Sequence, residues 1–265
     1  MKLLHLLTAV WVDLAEHLPD TASSVARLRE ALEPRGWQVR WHVVVDGEGT
    51  LPGEPAGADT LTLLGRHIGV SCARNRALQE SGGVGWVFCL DGDDEVDVPG
   101  WCALVDDPAF GSTPWHPTNL VRMDGTTAGR RDPRRWIEHP RLWAVREVEE
   151  NWTSPMVFLP GNIVCRADLA LAAGGWVAMR VVEDVGWCFH VNALEAGLAL
   201  PHVTRRSRKW DRQTTGEPSF GPDKASAYVF LTACINANRA RAGLPPVWPP
   251  HPTTGARVPW AHPSS

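Results

Sequence analysis

Four short pieces of the 265-residue chain carry side chains that could act together in chemistry. They are Val44-Val45-Asp46-Gly47, the run Gly69-Val70-Ser71-Cys72-Ala73-Arg74-Asn75-Arg76-Ala77-Leu78, the acidic turn Leu90-Asp91-Gly92-Asp93-Asp94, and Gly174-Gly175-Trp176 followed by Glu183-Asp184. Clustered carboxylates can hold a hard divalent cation through oxygen, and one of them can take a proton from a reacting hydroxyl. Singly, each piece has a plainer reading: an acidic turn is ordinarily solvated, and Glu183-Asp184 alone would serve to start a helix. Their order and spacing, and the elements that carry them, raise the chemical reading above the plain one.

Those elements follow from periodicity. Residues 3–12 read as an apolar strand, and Asp20-Thr21 offer capping side chains to a helix whose Val25, Leu28, Ala31 and Leu32 share one face. After Pro34 and Gly36, Trp37 to Val45 alternate and finish on Asp46, so strand, helix and strand form a βαβ unit of a parallel sheet. Residues 47–58 are rich in Gly and Pro and read as a loop; residues 60–64 predict a short strand and 70–81 a helix closed by Gly82-Gly83. Val84 to Leu90 is a buried strand that delivers Asp91. In open α/β sheets ligands collect at the carboxyl ends of strands, which is where Asp46 and Asp91 both fall.

From about 99 to 160 the pattern weakens into Pro, Trp and Arg with strand-like fragments. It returns with a strand at 162–165, a short helix ending at Gly174-Gly175, a longer helix at about 183–196 and a last one at 224–242. The expected organisation is one α/β unit over 1–222, a C-terminal helix over 223–243, and a Pro-rich tail over 244–265, extended because Pro cannot join regular hydrogen bonding. A net charge of −4 supplies no global basic field for nucleic acid. The six cysteines form no Cys-x-x-Cys pair and read as buried thiols. Met1 to Leu7 reads as a first core strand, no run approaches the ~18 apolar residues of a membrane span, and a cytoplasmic protein is the expectation.

With these residues in view, the chain resembles the family 2 glycosyltransferases, over roughly residues 3–215 and most strongly between 66 and 95. There the G-x-S-x-A-R-N-x-A-L helix start and the apolar strand into D-x-D-D reproduce the family's pattern. The resemblance implies a GT-A fold, a Rossmann-like and mostly parallel sheet flanked by helices in a single domain. It implies transfer of a sugar, with inversion, from a nucleotide diphosphate donor, most often a UDP-sugar, to an acceptor hydroxyl. By the same resemblance Asp46 would meet the nucleobase or ribose and Arg74 the diphosphate. Asp91 and Asp93 would form the motif that meets ribose and Mn²⁺ or Mg²⁺, and Asp184 would be the catalytic base. Gly92 would let the backbone turn beside the phosphates, and a helix start would favour the ionised form of Asp184. Glu183 and Asp94 are further members of the acidic set.

The family often adds a metal-binding histidine near the end of the catalytic domain, in a Y-R-x-H-like segment. The matching stretch here, Arg205 to Thr215, has none in place, so Asp211 or His202 is the expected substitute. Its basic residues, Arg208 among them, are alternatively a grip on the diphosphate or a solvated loop. Of fourteen tryptophans, Trp101, Trp115, Trp136, Trp143 and Trp152 fall in the irregular middle, where they read as core or as the wall of an acceptor groove. The acceptor is open: a glycan, a small molecule, a protein or a modified DNA base. Two rivals remain. A sugar-nucleotide pyrophosphorylase would carry a Gly-rich loop near the N-terminus, and residues 8–20 hold no glycine. A catalytically silent carbohydrate- or nucleic-acid-binding protein would not require the acidic positions.

Overall fold

A computed structural model of the chain describes residues 1–49, 51, 53, 55–123, 136–151, 158–208 and 220–247. The first apolar run forms β1 (Lys2–Trp11), and a 3-10 turn leads into α1 (Leu18–Leu32). Asp20 and Thr21 do not cap this helix; Pro19 stands in its first turn and the two residues lie inside it. Gly36, at φ 75, turns the chain into β2 (Trp37–Asp46). Then come β3 (Thr60–Leu63), α2 (Val70–Gln79), β4 (Trp86–Cys89) and β5 (Glu95–Val96).

The stretch from 99, expected to be irregular, begins instead with a helix, α3 (Val98–Asp106). Asp97 caps it by accepting from the Gly100 amide at 2.9 Å, with Pro99 in the first turn. β6 (Trp115–Pro117), β7 (Asn119–Arg122), β8 (Arg141–Trp143) and α4 (Glu147–Glu150) follow. The chain continues through β9 (Ile163–Arg166), α5 (Ala167–Ala172), α6 (Glu183–Leu194), β10 (Gly197–Ala199), β11 (Val203–Ser207) and α7 (Phe220–Arg241).

The main sheet has the order β3-β2-β1-β4-β9-β6. β3, β2, β1 and β4 run parallel, and β9 is antiparallel to both β4 and β6. Side chains alternate across it. Leu4, Leu6, Trp41, Val43, Phe88 and Leu90 pack under α1 and α3, while Leu7, Val44, Val87 and Cys89 pack under α2, α5 and α6. Each such large apolar side chain, fully buried, contributes about 1.5–3 kcal/mol. The result is the α/β architecture expected from the sequence, a mostly parallel sheet between helical layers. A second sheet, β5-β11-β7, stands over one end, with β11 antiparallel to β5.

Trp101 and Trp115 are fully buried and Trp143 nearly so, and the indole N–H groups of the first two donate to Thr204 O and Glu195 O. They are core, not groove wall; Trp152 lies outside the described residues. The tail begins by lying back on α7, where Asn236 exchanges two hydrogen bonds with the Val247 backbone and Arg239 donates to Pro245 O. The rest of the tail lies outside the described residues. No described helix is long and apolar enough to cross a membrane.

Candidate active site

From β1 the chain passes to β2 and β3 on one side, then to β4 on the other. Such a reversal opens a crevice at the carboxyl ends of the strands. Around it stand Trp11 ending β1, Asp46 ending β2 and Asp91 just beyond β4. Arg74, in the second turn of α2, is buried and reaches across. Its Nη2 lies 2.6 Å from Asp91 Oδ1 and its Nη1 2.5 Å from Glu183 Oε1. One guanidinium thus joins three of the four sequence pieces.

A second buried guanidinium comes from β11. Arg205 Nη1 lies 3.0 Å from Asp91 Oδ2 and 3.4 Å from Asp94 Oδ2, while Nη2 donates to Gly161 O at 2.8 Å and to Cys89 O. The acidic turn is held from other directions as well. The Thr21 hydroxyl is 3.0 Å from Gly92 O and 2.7 Å from Asp94 O, and the Arg208 amide donates to Asp94 Oδ1 at 2.9 Å. Arg208 also lies 2.8 Å from Asp20, so Asp20, expected as a cap, and Arg208, expected as a diphosphate grip or part of a solvated loop, both end up beside the turn. Gly92 is needed for space rather than for a special backbone angle: a Cβ there would come within 2.8 Å of Val10.

The Glu183-Asp184 pair opens α6 after Val182, which takes a left-handed conformation at φ 57. That region is costly for a β-branched residue. Asp184 Oδ1 accepts from the Val185 amide at 2.8 Å, and its Oδ2 abuts Gly161, where a Cβ would be only 3.1 Å away. The approach to α6 is tied to α2 by Asn75, which accepts from the Trp176 amide and donates to its carbonyl, both at 2.8 Å. Gly175 makes room for this clamp, since a Cβ there would meet Asn75 Oδ1 at 2.1 Å.

Electrostatics separate the carboxylates. Burial alone would raise the Asp91 carboxyl, but Arg74 and Arg205 outweigh it and hold it down to about 2. Burial pushes Asp94 up to about 8, against Arg205 and with help from Asp91 and Asp93. Burial likewise raises Glu183 to about 7, opposed by Arg74. Asp184 is raised too, again by burial first, with Arg74 opposing. The helix start does not keep it low as expected; removal from water outweighs a partial charge at a helix end.

Other expected site residues stand differently. Asp46 is only 3% exposed, and its oxygens accept from the Ile68 and Gly69 amides at 2.6 and 2.9 Å, with His67 Nδ1 at 2.9 Å. It anchors the loop into α2. His202 does not enter the acidic cluster; it is hydrogen bonded to Asp107 at 2.7 Å, and Arg205, three residues on, takes the inward position. Asp211 lies outside the described residues. Thr21 joins the site with no local signal in the sequence, as do Trp11 and His67, whose rings meet at 5.3 Å beside Asp46.

Among the described residues no three His, Cys, Asp or Glu side chains converge as a ready metal cage. The donor set still suits a hard cation. Asp91 is one-third exposed, Asp93 next to it is half-buried, and the acidic groups outnumber the buried guanidiniums beside them. Mg²⁺-like ions are often held by one or two carboxylates plus substrate phosphates.

No family model matches the chain, and no curated protein matches it in sequence. Solved structures do match in shape. The crystal structure of S. aureus TarS superposes with a TM-score of 0.61 at 12% identity, over 89% of this chain and 40% of that one. TarS 1–349 in complex with UDP-GlcNAc gives 0.60 at 12% identity, over 91% and 73%. Its complex with UDP gives 0.56 at 11%, over 91% and 72%. The likeness is one of fold. This chain spans less than half of that TarS chain, and a likeness at such identity shows the α/β architecture alone.

Proposed function

We propose that the protein is a nucleotide-sugar glycosyltransferase of family 2 that moves a sugar, with inversion, from a UDP-sugar to an acceptor hydroxyl. The observation that carries this reading is the bridge Asp91–Arg74–Glu183, which gathers three of the four separated motifs just beyond the carboxyl end of β4. A structure of the same fold crystallised with UDP-GlcNAc and with UDP supports the donor class.

In this reading Trp11 and His67 offer ring faces to the base, beside the loop that Asp46 anchors. Asp93 and Asp91 would hold Mn²⁺ or Mg²⁺, and that ion would supply charge neutralisation to the departing diphosphate. Arg74 and Arg205 keep Asp91 ionised and fixed, so the ligand oxygens do not have to reorganise. Asp184 is the base: its raised pKa makes it a stronger proton acceptor than an ordinary carboxylate. It takes the acceptor hydroxyl proton as that oxygen bonds to the anomeric carbon, and the anomeric C–O bond breaks with its electron pair leaving on the diphosphate. A panel of nucleotide sugars with Mn²⁺, read by thermal shift and by hydrolysis, tests the reading, since a ligand of the native state raises apparent stability. UDP-GlcNAc is the first donor to try. Asp93→Ala should abolish Mn²⁺-dependent hydrolysis; unchanged hydrolysis would remove the proposed donor site.

A further inference from the structure

We propose that Arg205 is a positioning residue that locks the donor carboxylates and the Asp184 base into one geometry, an inference that rests on the function proposed above. The case is in how its planar group divides its bonds. One edge, Nη1, serves the acidic turn at Asp91 and Asp94. The other nitrogen, Nη2, serves backbone outside the turn, at Cys89 O ending β4 and at Gly161 O just ahead of β9. Gly161 also borders the base: a Cβ there would come 3.1 Å from Asp184 Oδ2. A displacement of the 161 carbonyl is therefore a displacement of the wall behind the base.

The side chain itself is well fixed. It is 6% exposed, its guanidinium lies 5.2 Å from the Phe88 ring, and its strand is bonded to β5, the segment directly after the acidic turn. Arg205 pairs with Val96 and Arg206 with Glu95 in that ladder, so the backbone of β11 moves with the turn while the guanidinium reaches to Gly161. A lysine has one compact ammonium in place of a rigid fork. It can neutralise the acidic turn but cannot also span to the Gly161 carbonyl. Charge and geometry are therefore separable by substitution.

The test uses the full chain, with UDP plus Mn²⁺ for binding and UDP-GlcNAc, or whichever UDP-sugar the panel selects, for turnover. Arg205→Lys should bind UDP within about threefold of the parent while turnover falls about 10²-fold, the scale set by a misplacement of order 1 Å. Hydrogen exchange read without any ligand should quicken in residues 158–164 and stay near parental in residues 91–96. Gly161→Ala, which pushes on Asp184 from the same side without touching Arg205, should reproduce the turnover loss with donor binding kept. Full turnover in Arg205→Lys overturns the proposal, as does equal loss of UDP binding and turnover, or unchanged exchange at 158–164. If the parent itself turns over no nucleotide sugar, the proposed function fails, and the exchange pattern alone still decides whether Arg205 couples the two segments.

Discussion

Replacing Arg74 by methionine keeps a side chain of similar length and removes the charge that spans Asp91 and Glu183. Breaking a buried ion pair from one side costs about 3–5 kcal/mol, because a charge is left behind without its partner. Here the cost divides unequally. Asp91 is one-third exposed and keeps Arg205 at 3.0 Å, so its share is nearer the ~1 kcal/mol of a surface pair. Glu183 is only 12% exposed and has lost its counterion, so its share dominates, and about 3 kcal/mol in total is expected at pH 8. The sign of the pH dependence follows. Burial has already raised Glu183 to about 7, and Arg74 opposes that rise, so its removal raises the carboxyl further. A carboxyl whose folded pKa lies above its unfolded value stabilises the fold fully below the unfolded pKa and loses that contribution as pH rises through the folded one. At pH 5 Glu183 of the variant is protonated, and the deficit should shrink to about 1 kcal/mol, the share of Asp91. Urea unfolding followed by tryptophan fluorescence at pH 5 and pH 8 measures both values. Adding Glu183→Gln should return about 1–2 kcal/mol at pH 8, since it removes the unpaired charge. A deficit equal at the two pH values, or no recovery from the second substitution, would refute the reasoning.

Three further outcomes are expected. Gly175→Ala places a Cβ 2.1 Å from Asn75 Oδ1 at a backbone φ of 69, and should cost about 2–4 kcal/mol by chemical denaturation, with partial relief from Asn75→Ala. Thr21→Val removes the donor to Gly92 O and Asp94 O in a buried position; a loss of about 1–2 kcal/mol and weaker UDP–Mn²⁺ binding by calorimetry are expected, and unchanged binding would separate Thr21 from the turn's function. Asp184→Asn should bind UDP like the parent yet lose transfer by a factor of about 10²–10⁴, and an equal loss of donor binding would assign Asp184 elsewhere.

Much of this was legible in the residues. The apolar alternation of Trp37–Val45 and the run Val84–Leu90 are local signals, and they mark a strand that ends on Asp46 and one that stops at Cys89, two residues before Asp91. The helix α3 was not, because Pro99 and Gly100 read as loop. Gly100 is there for a different reason: a Cβ would come within 1.6 Å of Val203 O, a contact with β11 more than a hundred residues away. Arg205 is a similar case. In sequence it is one of a basic run, and only the pairing of β11 with β5 turns it inward while Arg206 stays outside. Thr21 sits where a cap would sit, but Pro19 starts the helix earlier and the hydroxyl faces the acidic turn. In each case the deciding partner is distant along the chain, and composition or period carries no trace of it.

The reversed direction of β9 has a consequence for how this scaffold can diverge. In the parallel strands the chain leaves the sheet at the crevice; in β9 it enters there, so Gly161 borders Arg205 and Asp184 before the strand begins. The described part of the connection between β7 and β9 adds no strand to the main sheet; it pairs β8 with β10 and packs Trp143 and Val148 into the core. The crevice therefore has walls of two origins, strand ends on one side and the approach to a strand on the other, and substitutions at Gly161 change the second while leaving β1, β2 and β4 as they are.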